Sequence, residues 1–324
     1  MPPPRPYPEL SADATARLRE RVGRLHLSQR QGIQRDHVTQ IFGRGRNFFH
    51  IENWYSVHAL MRSAMRAVGL YGRGKSNAAA IRIRHNDILL PGLPQGFHGF
   101  RLLHLSDLHL DMDLAITHAL ARQVREADHD LCVITGDFRA RTYGDHAQVV
   151  EAMGDLRTHI AGPIYAVLGN HDFIEVVPEL ESLDVHVLLN ESTVIEHHGA
   201  AIHLAGIDDP HYYRADNLEK AADAIPADAT AILLSHSPEI YRHAAHAGFD
   251  LMLCGHTHGG QICLPGGTAI SYNAKCPRAL GRGPWRWHGL QGYTSVGAGT
   301  CVVAVRFNCP PEITVHRLLT DARR

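Results

Sequence analysis

The 324-residue chain reads as an α/β protein, and three features carry that reading. Five apolar runs of strand length, four to six residues rich in Leu, Ile and Val, lie between residues 101 and 254. Each is followed at once by a short polar block of Asp, Asn, His, Ser and Gly. Runs this short and apolar are buried strands, and a polar block directly after each one falls at a strand's carboxyl end, where open α/β sheets hold their ligands.

The elements follow in chain order. After the Pro-rich Met1–Pro8, Leu10–Glu20 begins like a capped helix, and His50–Leu70 is a second helical candidate. In that second segment Ile51, Trp54, His58, Met61, Met65 and Val68 recur at three- and four-residue intervals, with Arg62 and Arg66 off the stripe. Such a stripe is either a face that docks on the main domain or a basic amphipathic surface for an anionic membrane or lipid. Tyr71-Gly-Arg-Gly-Lys-Ser-Asn77 reads as a linker, Ile81–Arg84 alternates as a strand, and Leu90–Gly96 is turn-rich.

The five runs and their blocks come next. Arg101–Ser106 leads into Ser106-Asp107-Leu108-His109, Leu131–Thr135 into Thr135-Gly136-Asp137, and Ile164–Leu168 into Gly169-Asn170-His171-Asp172. Ala231–Ser235 leads into Ser235-His236-Ser237-Pro238, and Leu251–Cys254 into Gly255-His256-Thr257-His258-Gly259-Gly260-Gln261. A further strand, Ala201–Gly206, is followed by Ile207-Asp208-Asp209-Pro210-His211-Tyr212-Tyr213. That loop either shapes a pocket, with His211 toward substrate, or forms an Asp-Pro turn packed by aromatics. Trp285 and Trp287 either form a surface that stacks on a base or ring or, as is expected, pack in a core or interface.

Together the blocks offer two carboxylates, one amide and four ligating imidazoles, with His171 to spare. That is a ligand set for two hard-to-borderline divalent cations side by side. Such a pair, about 3.5–4 Å apart, is a device for attacking phosphorus with a bound hydroxide. The expectation from the residues is a phosphoester hydrolase.

In this order the blocks resemble the calcineurin-like metallophosphoesterase superfamily over roughly residues 78–319. Gly255–Gln261 and the tail Val305–Thr314 resemble its bacterial YkuE-like branch. The resemblance implies a four-layer α/β/β/α sandwich of two mixed sheets flanked by helices. It also implies that Asp107, His109 and His258 hold one metal, that Asn170, His236 and His256 hold a second, and that Asp137 bridges them. The ions would be Mn, Fe or Zn, which this ligand set accepts alike. Attack by a bridging hydroxide would proceed with inversion on a phosphodiester or pyrophosphate-type bond, with His171 protonating the leaving oxygen.

One position departs from the family. Several branches carry a carboxylate three residues after the bridging aspartate to support the catalytic imidazole, and here Ala140 stands there. Either Asp172 or another residue then orients His171, or the enzyme uses good leaving groups that need less proton donation. Arg139 and Arg141, beside Ala140, place positive charge where a guanidinium would grip a phosphate oxygen.

Charge divides the chain. Residues 1–100 carry 15 Lys and Arg against 6 Asp and Glu, so the remainder carries −10 within a total of −1. This supports a basic helical extension over 1–77, a catalytic domain over 78–319 and a tail over 320–324. An acidic catalytic body argues against a long nucleic acid and favours small or single-headgroup substrates. The resemblance adds nucleotide-sugar esters to that class, and the basic helix around Trp54 makes a lipid-linked ester worth testing. No stretch of about 18 apolar residues and no signal pattern is present, so the expected location is the cytoplasm, with peripheral contact at the inner membrane face through the basic helix. The six cysteines form no Cys-x-x-Cys pair and read as free thiols. Two alternatives stay open: a phosphomonoesterase of the same fold, and a non-catalytic metal-binding scaffold for other proteins.

Overall fold

The computed structural model describes residues 8–42 and 55–321, with side chains over 8–36 and 61–321. Helices α1 (Ala12–Val22), α2 (Arg24–Phe42), α3 (Tyr55–Ala67) and α4 (Tyr71–Ala79) precede strand β1 (Arg82–Leu90). There follow β2 (Arg101–Leu105), α5 (Leu114–Glu126), β3 (Leu131–Ile134), α6 (Ala147–Arg157), β4 (Ile164–Ala166), α7 (Val177–Ser182), β5 (Val185–Val187), β6 (Glu191–His197) and β7 (Ala200–Gly206). The chain closes with α8 (Leu218–Ala222), β8 (Ala231–Leu234), α9 (Tyr241–His246), β9 (Leu251–Cys254), β10 (Gly283–Trp287), β11 (Leu290–Thr294) and β12 (Glu312–Thr320).

The strands form two six-stranded mixed sheets, in the orders β1-β12-β2-β3-β4-β5 and β10-β11-β9-β8-β7-β6. Their alternation builds the layers. Leu102, Leu131 and Val133 of the first sheet meet Ile232, Leu234, Leu251 and Leu253 of the second in one apolar layer. The residues between them face the other way: Leu103, Leu105, Cys132 and Ile134 pack on helices α5 to α7, and Leu233, Met252 and Cys254 on α8 and α9. Period-2 strands with both faces covered read as continuous apolar runs, and that is why the sequence shows runs and not alternation. The expected four-layer sandwich is the observed one.

The amino-terminal helices share this core. Leu18 and Val22 of α1 and Leu27 of α2 belong to the cluster that covers the first sheet. The Ser11 side chain caps α1 by accepting from Ala14 N at 3.1 Å.

The linker expected at Tyr71–Asn77 is instead the helix α4. Its two internal glycines do not break it, because packing overrides propensity. A Cβ at Gly74 would lie 2.6 Å from the Phe307 ring and 2.8 Å from Val305 Cβ, so glycine lets the helix press against that segment. Gly74 O accepts from Arg306 N at 2.9 Å and Asn77 Nδ2 donates to Arg306 O at 3.0 Å, which ties helix to segment. Helix α2 was not anticipated, and β1 extends well beyond Ile81–Arg84 because it pairs with β12 along its whole length. Of the apolar stripe, Met61 and Met65 are half-buried and Val68 is exposed. Ile51, Trp54 and the His58 side chain lie outside the described residues. Trp285 is buried with Nε1 donating to Thr294 Oγ1, and Trp287 packs edge-on against Tyr241, in keeping with a packing role.

Candidate metal centre

Strands β2, β3 and β4 of one sheet and β8 and β9 of the other all end at the same edge of the sandwich. The five polar blocks meet there. Two groups of ligand atoms result, each with its members within 4.8 Å of one another: Asp107, His109, Asp137 and His258, and Asp137, His236 and His256. Asp137 belongs to both. Asn170 joins the second group, with its Oδ1 2.9 Å from His236 Nε2.

The backbone is bent hard to achieve this. Asp107, His109, Asp137, His256 and His258 all adopt positive φ, between 44° and 70°. A non-glycine residue in the left-handed region costs about 1–3 kcal/mol, and such strain collects where the surrounding structure enforces it for a purpose. Gly169 has no side chain for a steric reason, since a Cβ there would overlap the Asp137 carboxylate.

Backbone carbonyls fix the imidazoles. His109 Nδ1 donates to Arg139 O at 2.8 Å, His236 Nδ1 to Thr135 O at 2.7 Å and His256 Nε2 to Asn273 O at 2.5 Å. Each bond leaves the ring's other nitrogen as a bare lone pair aimed into the site. Around His236 Nε2 the neighbours are then all acceptors: Asn170 Oδ1 at 2.9 Å, His256 Nδ1 at 3.2 Å and Asp137 Oδ2 at 3.4 Å. In the other group, His258 Nε2 lies 3.2 Å from His109 Nε2 and 3.5 Å from Asp107 Oδ1. Acceptors facing acceptors repel unless a cation lies among them, and these separations suit vertices about an ion bound at roughly 2.0–2.2 Å. The donor set therefore fits divalent metal ions.

The charge states agree. Burial would lower the His236 pKa, but the Asp137 carboxylate outweighs it and raises the group to about 10, the mark of a field that favours positive charge at this point of the site. Burial pushes His109 down to about 4 and His258 well below its usual value, so both rings are neutral and available as ligands. Asp137 stays ionised: burial would raise it, and the imidazoles of His236, His171 and His109 hold it well below the carboxylate range.

His171 sits at the rim of this cluster, its Nε2 4.0 Å from Asp137 Oδ2. Its Nδ1 donates to Ala140 O at 2.7 Å. The residue that lacks the supporting carboxylate thus supplies its main-chain oxygen in that place. Asp172 does something else, since its carboxylate accepts from the backbone N–H groups of Asp137, Phe138 and Gly169 at 2.8–2.9 Å and so sets the Asp137 loop. Arg139, expected to face a phosphate, is 1% exposed, with its guanidinium on the carbonyls of Tyr143, Gly144 and Asp145 and over the Phe173 ring. Arg141 is exposed at the rim. His211 stands beside His256 with ring centroids 4.1 Å apart, and its Nδ1 is 2.9 Å from Glu239.

Three further residues support the site. Arg306, fully buried, donates to the carbonyls of His258, Val296, Gly297 and Gly299. Arg30 of α2, also fully buried, lies 3.2 Å over the Tyr213 ring, pairs with Asp208 at 3.2 Å and donates to Asp172 O at 2.9 Å. Gln261 donates to Cys301 O and Val303 O and accepts from Cys301 N at 2.8–3.0 Å. The Asp209 carboxylate accepts from the N–H groups of His211, Tyr212 and Tyr213, so the Asp-Pro turn and the wall beside His256 are one structure.

A family profile described as Calcineurin-like phosphoesterase matches residues 100–260. The chain is 30% identical over 227 residues to YkoQ of Bacillus subtilis, an uncharacterized metallophosphoesterase, covering 67% of this chain and 83% of that one. It is 28% identical over 274 residues to YkuE of the same organism, also an uncharacterized metallophosphoesterase, covering 80% and 93%. It is 29% identical over 233 residues to the phosphodiesterase YaeI of Escherichia coli, covering 68% and 82%.

Proposed function

The chain belongs to the calcineurin-like phosphoesterase family and is a phosphoric ester hydrolase, and from that premise we propose a dinuclear enzyme that cleaves phosphodiester or pyrophosphate-type bonds. The observation that carries the number of ions is the pair of ligand groups sharing Asp137. In this reading Asp107, His109 and His258 hold one ion, Asn170, His236 and His256 the other, and Asp137 both. Bound there, the ions would supply a water deprotonated near neutral pH and neutralise charge on the phosphoryl oxygens. A bridging carboxylate offsets the repulsion of two dications, and neutral imidazoles leave the site net positive, which draws in a phosphate.

The chain's own residues do the rest. His171 holds a proton on Nε2 for the leaving oxygen, its ring fixed by Ala140 O. Arg141 and His211 stand at the rim, where they would meet the ester's substituents. The exposed Val68 and Leu70, beside Arg66 and Arg73, support contact with an anionic lipid headgroup or a lipid-linked ester, which vesicle flotation tests. Among the described residues no helix is long and apolar enough to cross a membrane.

The test is hydrolysis of bis(p-nitrophenyl) phosphate and p-nitrophenyl phosphate by metal-reconstituted protein, beside Asp137→Ala. Diesterase activity that Asp137→Ala lowers by about a thousandfold or more is expected. A rate that survives Asp137→Ala would rule out this site. Two equivalents of tightly held metal with no turnover on any ester, diester or pyrophosphate would favour the scaffold.

A further inference from the structure

Beside His171 the structure opens into a cavity of about 320 Å³ whose walls come largely from outside the five blocks. Arg141 and Tyr143 line it from the loop after β3, Arg62 from α3, Tyr71 from α4, and Val302 and Val303 from a carboxyl-terminal loop. The matched family region, 100–260, contains every proposed metal ligand but neither Arg62, Tyr71 nor Val302. The cavity thus draws part of its wall from outside the matched region.

Its charges are lopsided. Asp111 accepts from the backbone N–H groups of Ala140 and Arg141, and Asp113 caps α5 through Ala115 N and pairs with Lys75 at 2.8 Å. Both carboxylates are therefore occupied. Among the described residues no carboxylate pairs with the guanidinium of Arg62 or Arg141. Two unpaired guanidiniums on different elements, facing one cavity of ligand size, form a site for an anion with several oxygens.

The opposite wall is held rigidly. Gln261 grips Cys301 and Val303 through three hydrogen bonds, and Val302 between them has φ of 64°. A β-branched residue in the left-handed region persists only where its surroundings enforce it. Val302 and Val303 present apolar surface there, together with Met112.

We propose that this cavity is the leaving-group subsite and that Arg62 and Arg141 bind an anionic group carried on the leaving side, as the second phosphate of a pyrophosphate-type substrate. The inference rests on the phosphohydrolase reading above. As the oxygen of water bonds to phosphorus and loses one proton to solvent, the bond from phosphorus to the bridging oxygen breaks, and the departing oxygen takes a proton from His171, which solvent then restores. Because His171 lines the cavity, the group it protonates lies there. With UDP-glucose the products are UMP and glucose 1-phosphate, so a phosphate departs whichever phosphorus is attacked. With bis(p-nitrophenyl) phosphate the departing group carries no second phosphate.

The test compares kcat/KM for these two substrates in metal-loaded, full-length protein. Arg62→Gln and Arg141→Gln should each lower the ratio of UDP-glucose to bis(p-nitrophenyl) phosphate about tenfold, and Arg122→Gln, an exposed arginine of α5 outside the cavity, should leave it in place. A ratio unmoved by both cavity variants, or a parallel loss on both substrates, overturns the subsite. Calorimetric titration of metal-free protein with UDP-glucose should show binding weakened about tenfold in each cavity variant, and equal binding counts against it. No turnover of any ester by the loaded wild type would instead strike at the phosphohydrolase reading.

Discussion

At Ala140 a main-chain oxygen holds the His171 ring, where the family resemblance leads one to expect a carboxylate. A neutral carbonyl orients the His171 ring but stabilises its protonated form less than an anion does. The enzyme should therefore depend on His171 in proportion to the difficulty of the leaving group. His171→Ala is expected to cost about 10²–10³ in kcat on a glycerol phosphodiester, whose alkoxide must be protonated, and under about tenfold on a p-nitrophenyl diester. Steady-state rates on the two substrates check this, and equal losses would remove His171 from the role of acid. The same residues show what a sequence conceals. Seven candidate ligands were legible because Asp, Asn and His in dense blocks after strands have few other uses. The carbonyls of Thr135, Arg139, Ala140 and Asn273 that aim four rings were not, because every residue carries one. Arg139 misled for the opposite reason: its guanidinium is conspicuous in sequence yet serves buried carbonyls.

Helix α2 escaped the sequence reading because it docks through polar groups. Its buried anchor is Arg30, flanked by His26 on Asp208 at 2.9 Å and by Gln34, which accepts from Ile174 N at 2.9 Å and donates to Glu175 at 2.6 Å. A search for apolar periodicity passes over such a helix, just as two glycines disguised α4. Removing one partner of a buried ion pair leaves the other exposed to desolvation, so Arg30→Met should destabilise the protein by about 3 kcal/mol in urea titration. It should also lower kcat, since Arg30 holds Asp172 O and the Asp172 carboxylate holds the Asp137 loop. The pair also fixes an acid response. Burial would raise the Asp208 pKa, but Arg30 and His26 outweigh it and lower it to about 2 from 3.8. A folded value below the unfolded one stabilises above the unfolded pKa and is lost as pH falls through the folded one, here between about pH 4 and pH 2. The linked contribution is roughly 2 kcal/mol. Stability profiles of wild type and Asp208→Asn should converge by about that amount across this window, and parallel profiles would contradict it.

For the molecule as a whole, the charge division takes on a different meaning. The basic amino-terminal surplus and the acidic body were read as marks of two units, and the four-layer body was legible because each of its central strands announces itself as an apolar run. In the fold the two signs meet: Arg21 pairs with Glu181 and Glu191, Arg30 with Asp208, and Lys75 with Asp113. The asymmetry in sequence becomes complementarity across a contact. Metal loading should act at this scale as well, because ions that bind only the folded chain stabilise it by mass action. At a hundredfold excess over Kd that is about 2.7 kcal/mol per site. Chelation should accordingly lower the midpoint of thermal unfolding, and restored Mn or Zn should return it. An unchanged midpoint would mean that the cluster holds no ion in the folded state.

Gln261 lies three residues beyond His258 and grips the loop that walls the cavity beside His171. One short stretch of backbone therefore carries both a candidate ligand of the centre and the clamp on the cavity wall, so a substitution that loosens the clamp should be felt at His258 as well.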